Sequence, residues 1–223
     1  MRTVVFDLDG TLVDTSRDMI AAANASLAGA GRGGPLDPVS DAETAFAGGR
    51  AMLRLGLSRM NGGWSEADVD ARYPGFLRLY ADGLCRESRL YPGAREAVAT
   101  LGAAGYRLAI CTNKPAALAE RLMRDLDFRD PFAVLVGADT LPVRKPDPAP
   151  LLHALAGAGG RAEAAMLLGD TITDVRTARA AGMPVALVGF GPAGAGVAAF
   201  DPDAILEDFS VLSELVGRLV PVA

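Results

Sequence analysis

The sequence predicts an α/β protein, a mostly parallel sheet with helices on both faces, interrupted near its start by an all-helical insert. Three observations predict it. From residue 90 onward, short apolar runs alternate with stretches of helical length. Residues 15–88 carry no such run. Several of the apolar runs end abruptly in Asp, Thr or Asn, as strands do where they open onto a ligand site.

Taken in order, Thr3 to Leu8 reads as a buried strand, and Gly10-Thr11 turns the chain. Thr15 or Ser16 caps an Ala-rich helix expected to reach about Ala30, where GRGGP (31–35) breaks it. Asp41 to Met60 is expected to be helical, interrupted at Gly48-Gly49. NGGW (61–64) is a turn, and Ser65-x-x-Asp68 caps a helix running to about Cys85. After LYPGA (90–94), Ala94 to Ala104 is a helix followed by Gly105, and YRLAICTN (106–113) is a buried strand with a polar end. Pro115 opens a helix to Leu126, at a position where its missing N–H does no harm. FAVLVGAD (132–139) is a strand, KPDPAPLLHALAGAGG (145–160) a loop and helix, and AAMLLGDT (164–171) a strand ending in Asp. Asp174 to Ala181 is a helix stopped by Gly182, MPVALVGFG (183–191) a strand, and residues 203–219 a short strand and a final helix. The predicted organisation is a core of residues 1–14 and 89–223, with a helical domain of residues 15–88 inserted after the first strand.

Half of the residues are hydrophobic and 22% are charged, the balance of a soluble globular protein. No apolar run approaches the ~18 residues of a membrane span, and the residues before Asp7 hold no signal-peptide core, so a cytoplasmic protein with no membrane attachment is expected. Cys85 and Cys111 are the only cysteines and form no Cys-x-x-Cys pair, so two buried thiols are expected rather than a disulfide framework. A net charge of −5 with no basic block argues against a nucleic-acid partner. A small anionic substrate stays open if local cations compensate its charge. Oligomeric state is not legible.

The first strand poses a chemical problem. Asp7 and Asp9 stand at its end, on the same side, because side chains alternate along a strand. Burying one unpaired carboxylate is costly, and two close together repel. They are either solvated or share a cation. Three further segments bring polar groups to the same edge of such a sheet: Thr112 and Asn113, then Lys145, then Asp170 with Asp174. Each alone has an ordinary explanation as a solvated strand end, a helix cap or a surface lysine. In this order and at these strand ends they describe a site. Carboxylates from different strands suit a hard cation such as Mg²⁺, and Asp7 and Asp170 can reach one ion. An Asp carboxylate can also attack phosphorus. A neighbour two residues on can protonate the leaving oxygen and then deprotonate water. Thr112, the amide of Asn113 and Lys145 can hold phosphate oxygens.

DLDGTLVDT (7–15), CTNK (111–114), VRKPDP (143–148) and GDTITD (169–174) resemble, in order and spacing, the four motifs of the haloacid dehalogenase-like superfamily of hydrolases. The likeness covers essentially the whole chain. It implies a Rossmann-like core, a small C1-type cap where the helical insert stands, and Mg²⁺-dependent hydrolysis of a small phosphate ester through an aspartyl-phosphate. By this resemblance Asp7 is the nucleophile and a metal ligand. Asp9 is the general acid/base, with its backbone carbonyl on the metal. Thr112 and Lys145 hold phosphate, and Asp170 is the third protein ligand. Asp174 is an acid that orients metal-bound water, or a direct ligand. PDAILEDFSVLSEL (202–215) is similar to the phosphoglycolate phosphatase subgroup, which implies 2-phosphoglycolate as substrate. Arg50 of AGGRAML is then the candidate partner for the substrate carboxylate, together with amides around Gly48-Gly49; a solvated surface arginine is the alternative.

Three other readings are weighed. Phosphosugar mutases on this scaffold resemble DxDGV, where this chain has Thr11, and carry a histidine near position 19, here Met19. A dehalogenase lacks the second aspartate, here Asp9. A non-catalytic binding protein would be suggested by loss of an acid, but Asp7, Asp9 and Asp170 are all present. His153 and Trp64 are read as structural.

Overall fold

The chain begins with β1 (Thr3–Phe6) and β2 (Val13–Asp14), followed by α1 (Ser16–Ala28), α2 (Ala42–Phe46), α3 (Gly49–Arg59) and α4 (Glu66–Gly83). It continues through β3 (Arg89–Leu90), α5 (Ala94–Ala103), β4 (Arg107–Cys111), α6 (Ala116–Asp125) and β5 (Val134–Val136). The remainder is α7 (Ala149–Gly157), β6 (Ala165–Gly169), α8 (Ile172–Ala180), β7 (Val185–Val188), β8 (Ala204–Leu206) and α9 (Leu212–Leu219). This computed structural model describes residues 1–28, 34–60 and 62–220. The expected helix end at Ala30, most of the GRGGP break and Asn61 of the NGGW turn lie outside the described residues.

The chain divides into two compact units, Asp14–Arg89 and the pair of segments Met1–Val13 and Leu90–Ala223. The larger unit is built on a six-stranded sheet in the order β5-β4-β1-β6-β7-β8, and every adjacent pair is parallel. β1 is central, paired from Thr3 to Phe6 with Arg107–Ile110 on one side and Ala165–Leu168 on the other. A strand flanked on both edges and covered on both faces reads as a near-continuous apolar run, and all four of its residues, Thr3 included, are buried. Val5, Ala109 and Leu167 face the layer made by Leu151, Ala154 and Leu155 of α7 with Val175 and Ala178 of α8. Phe6, on the opposite face by alternation, meets the Phe132 ring edge-on at 5.9 Å. α5 packs on β4 and α9. The fold class read from the sequence is the one the chain adopts.

The smaller unit contains no strand among its described residues beyond the end of β2 and the start of β3. α1 is its hub and packs on α4, α3 and α2. Tyr73, Phe76 and Tyr80 stack along α4 at centroid spacings of 6.0 Å, the i, i+3/i+4 spacing that puts side chains on one helix face. Asp18 accepts hydrogen bonds from the Glu87 and Ser88 amides and from Ser88 Oγ, at 2.6 to 3.2 Å, and so ties the first helix to the segment that leaves the unit. Trp64 is 38% exposed, less enclosed than a packing residue would be. Cys111 is buried and Cys85 only partly so. No helix among the described residues is long and apolar enough to cross a membrane.

Candidate active site

The strand ends carry the site because the sheet fixes their backbones. The Asp7 amide donates to the Leu168 carbonyl at 2.8 Å, one step beyond the β1–β6 pairing. Beyond Asp9 the chain reverses sharply: the Leu8 carbonyl accepts from the Thr11, Leu12 and Val13 amides. Gly10 makes this possible at φ +81°, where a side chain would be strained. The same strand end therefore presents both Asp7 and Asp9.

Around Asp7 the groups form a continuous chain of contacts. Its Oδ1 accepts from the Leu8 amide at 2.7 Å, and its Oδ2 lies 3.0 Å from Lys145 Nζ. The same ammonium donates to Asp174 Oδ1 at 2.6 Å. Asp174 Oδ2 accepts from Thr171 Oγ1 at 2.8 Å and the Thr171 amide at 3.1 Å, and at 3.3 Å from the Asp170 amide. Thr171 and Asp174 are the reciprocal capping pair that starts α8, which is why the helix begins at Ile172 and not at Asp174. Gly169 is required beneath it, since a Cβ there would lie 2.4 Å from Asp174 Cγ. Asp170 Oδ1 accepts from Thr11 Oγ1 at 3.2 Å, which joins the first and last motif segments.

The end of β4 supplies the opposite wall. The Thr112 amide extends the β4–β5 ladder to the Val136 carbonyl at 2.9 Å, and its Oγ1 accepts from the Lys114 amide at 3.1 Å. Asn113 Nδ2 donates to the Lys145 carbonyl at 3.0 Å and so braces the loop that delivers Lys145. Lys114 Nζ donates to Asp9 Oδ1 at 2.8 Å.

Burial dominates the electrostatics. Asp7 is pushed up from 3.8 to about 6 by burial, with Lys145 pulling against it and Asp174 adding to it. Asp170 rises well above the usual carboxylate range, first through burial and then through Asp174 and Asp7. Burial alone would lower Lys145, but Asp174 and Asp7 overcompensate and hold it charged. The Cys111 thiol next to them is pushed up to about 12 by burial and is inert. Four carboxylates, those of Asp7, Asp9, Asp170 and Asp174, thus share two ammonium groups. Oxygens of Asp7, Asp170 and Asp174 all lie within 4.8 Å of one another. A crowded all-oxygen donor set with an excess of negative charge fits a hard divalent cation. Asp174 directs its oxygens at Lys145 and at the start of α8, and Asp7 at the Leu8 amide and Lys145, whereas the bond from Thr11 engages one oxygen of Asp170.

Asp7, Asp9, Thr112, Asn113, Lys145, Asp170 and Asp174 come together in one unit. Arg50 belongs to the other, where its guanidinium meets Asp70 Oδ1 at 2.6 Å and lies 4.6 Å over the Tyr73 ring. His153 is exposed on α7. Two members of the site were not singled out by the sequence. Thr11 is one; its position in the first motif was the only signal. Lys114 is the other, signalled only by standing two residues beyond Thr112.

Comparison with known proteins gives the site its relatives. The family model of the haloacid dehalogenase-like hydrolases matches residues 1–182. The phosphoglycolate phosphatase of Mesorhizobium japonicum is 40% identical over 221 residues, covering 99% of this chain and 97% of its own. That of Rhodospirillum rubrum is 38% identical, covering 97% and 91%. Among solved structures, a predicted phosphoglycolate phosphatase from Haemophilus somnus superimposes with a TM-score of 0.80 at 25% identity, over 96% of this chain and 97% of its own. CbbY from Rhodobacter sphaeroides in complex with phosphate shares the fold, with a TM-score of 0.76 at 24% identity over 95% and 96%. With its motifs on converging strand ends and the family matched over most of its length, the chain belongs to the haloacid dehalogenase-like hydrolases.

Proposed function

We propose that the protein is a phosphomonoesterase that hydrolyses 2-phosphoglycolate through an aspartyl-phosphate on Asp7. The observation that carries the chemistry is the Asp7 carboxylate held 3.0 Å from a buried lysine that Asp174 fixes in turn. The relatives named phosphoglycolate phosphatase support the substrate. In the first step an Asp7 oxygen attacks phosphorus, the bond from phosphorus to the alcohol oxygen breaks, and Asp9 gives that oxygen its proton. In the second step water attacks the phosphorus, Asp9 takes the water proton back, and phosphate leaves Asp7. Lys145, Thr112 and the Asn113 amide hold the non-bridging oxygens. A magnesium ion held by Asp7, Asp170 and the Asp9 backbone carbonyl would supply positive charge against the repulsion between carboxylate and phosphate.

The insert is assigned the role of a cap that sets specificity, with Arg50 and the amides around Gly48-Gly49 as partners for the substrate carboxylate. The cytoplasm is the compartment in keeping with two cysteines that form no disulfide. The test is a panel of small phosphate esters. The highest kcat/KM is expected for 2-phosphoglycolate, with activity lost in EDTA and restored by Mg²⁺. Arg50→Ala is expected to cost more on 2-phosphoglycolate than on p-nitrophenyl phosphate, which has no carboxylate. Preference for a phosphosugar or nucleotide would replace the substrate, and activity that survives exhaustive chelation would remove the magnesium-dependent route.

A further inference from the structure

Lys114 is a buried cation that the two-step scheme leaves without a task. Its side chain is only 3% exposed, so a charged terminus there must be matched by an anion. The anion it meets is Asp9, at 2.8 Å. Lys114 itself is fixed at both ends of its backbone: its amide donates to Thr112 Oγ1, and its carbonyl accepts from the Ala138 amide at 2.9 Å. Asp9, by contrast, follows β1 at the lip of a glycine turn, its side chain 15% exposed. A carboxyl at the end of a strand has rotamers that face solvent, and only a fixed partner selects one of them.

We infer that Lys114 is a positioning residue for Asp9: it holds the Asp9 carboxyl at the leaving-group oxygen and receives the charge left there when the proton departs. The inference rests on the phosphatase reading above. When the Asp9 O–H bond breaks and the alcohol oxygen gains the proton, the electron pair stays on the Asp9 carboxylate, opposite the Lys114 ammonium. The ion pair in the structure is the state after that transfer, and it is also the state that accepts a proton from water in the second step. The contact therefore strengthens as the transition state is approached, the condition for an interaction to accelerate the step.

Leaving groups provide a readout that a merely structural role would not move. Alkyl alcohols are poor leaving groups and need the proton; p-nitrophenolate is a good one and scarcely needs it. Lys114→Met and Lys114→Gln are to be compared with the unaltered protein on 2-phosphoglycolate, ethyl phosphate and p-nitrophenyl phosphate. The comparison is made in kcat/KM, which covers only the steps through phosphorylation of Asp7. The expectation is a loss of about 10²-fold on both alkyl esters, the size of effect a misplaced catalytic group gives, against no more than a few-fold on the aryl ester. Gln, which keeps a donor without the charge, is expected to lose less than Met. The ratio between esters is internal to each variant, so partial unfolding cancels from it. Equal losses on all three esters would reduce Lys114 to a packing residue. A loss confined to 2-phosphoglycolate would make it a partner of the substrate carboxylate instead. Should 2-phosphoglycolate prove a poor substrate while ethyl phosphate is hydrolysed, the substrate fails but the alkyl-to-aryl ratio still decides Lys114. If the unaltered protein hydrolyses none of the esters, the phosphatase reading and this inference fall together.

Discussion

In the insert, Glu66 meets Arg54 through both carboxylate oxygens at 2.7 and 2.8 Å. Asp41 meets Arg59 in the same two-pronged way. Asp68 closes a capping box with Ser65 at the start of α4. At the strand ends, Asp7, Asp170 and Asp174 crowd around one lysine. The titration follows the partners. Asp41 is lowered mainly by hydrogen bonds from Arg59, Glu66 by those from Arg54, and Asp68 by those from Ser65. Asp7 and Asp170 are raised, and burial is the first cause in both. One chain thus satisfies its acids where they serve only the fold and leaves them short of counter-charge at the strand ends. Stability is given up there.

The sharpest way to break this contrast is Asp7→Asn. Turnover is expected to fall by at least ~10⁴-fold, as for loss of a covalent nucleophile. In chelated protein, however, the thermal midpoint at neutral pH is expected to rise. The sign follows from the shift. Asp7 is raised from 3.8 to about 6, so its contribution to stability is fully present below about pH 4 and is lost as pH rises through about 6. The midpoints of variant and parent are therefore expected to separate across that window and to stay apart above it. A variant less stable than its parent at pH 7 in EDTA would mean that the cluster is not short of counter-charge.

Lys145→Met tests the same balance from the other side. It leaves Asp7, Asp170 and Asp174 facing one another without the ammonium. The expected destabilisation in chelated protein is about 3 kcal/mol, the lower end for breaking a buried ion pair, read by denaturant unfolding. Glu66→Gln, which removes an equally close pair on the surface of the insert, is expected to leave the thermal midpoint within about 2 °C of the parent. Comparable effects from the two substitutions would erase the distinction between the regions.

The sequence revealed the parts of this arrangement that are local. Apolar runs ending in Asp or Thr mark β1, β4 and β6, because a buried central strand has no polar face to hide the signal. Gly48-Gly49 marks the break between α2 and α3. Strands β2 and β3 were illegible, since two residues each carry no periodicity. The start of α8 was placed at Asp174, although Thr171-x-x-Asp174 is the same cap signature that was recognised at Ser65-x-x-Asp68. Lys114 escaped for a different reason: its meaning lies in a contact with Asp9 105 residues away, and no local pattern encodes such a pairing. Arg50 could be named as a cation on a helix start, but its engagement with Asp70 and Tyr73 depends on how α3 and α4 pack.

The place of β1 in the sheet has a consequence for biosynthesis. As the chain leaves the ribosome, β1 is made before either of its neighbours, β4 and β6. Everything the insert needs is present once Arg89 has emerged. β1 must wait for Cys111 to complete β4, and for Gly169 to complete β6. Until then the buried strand Thr3–Phe6 lacks both of its sheet neighbours. Asp7 is thus synthesised well before its surroundings, which are finished only when the last motif arrives, and long-range parallel pairing of this kind is the slow part of folding.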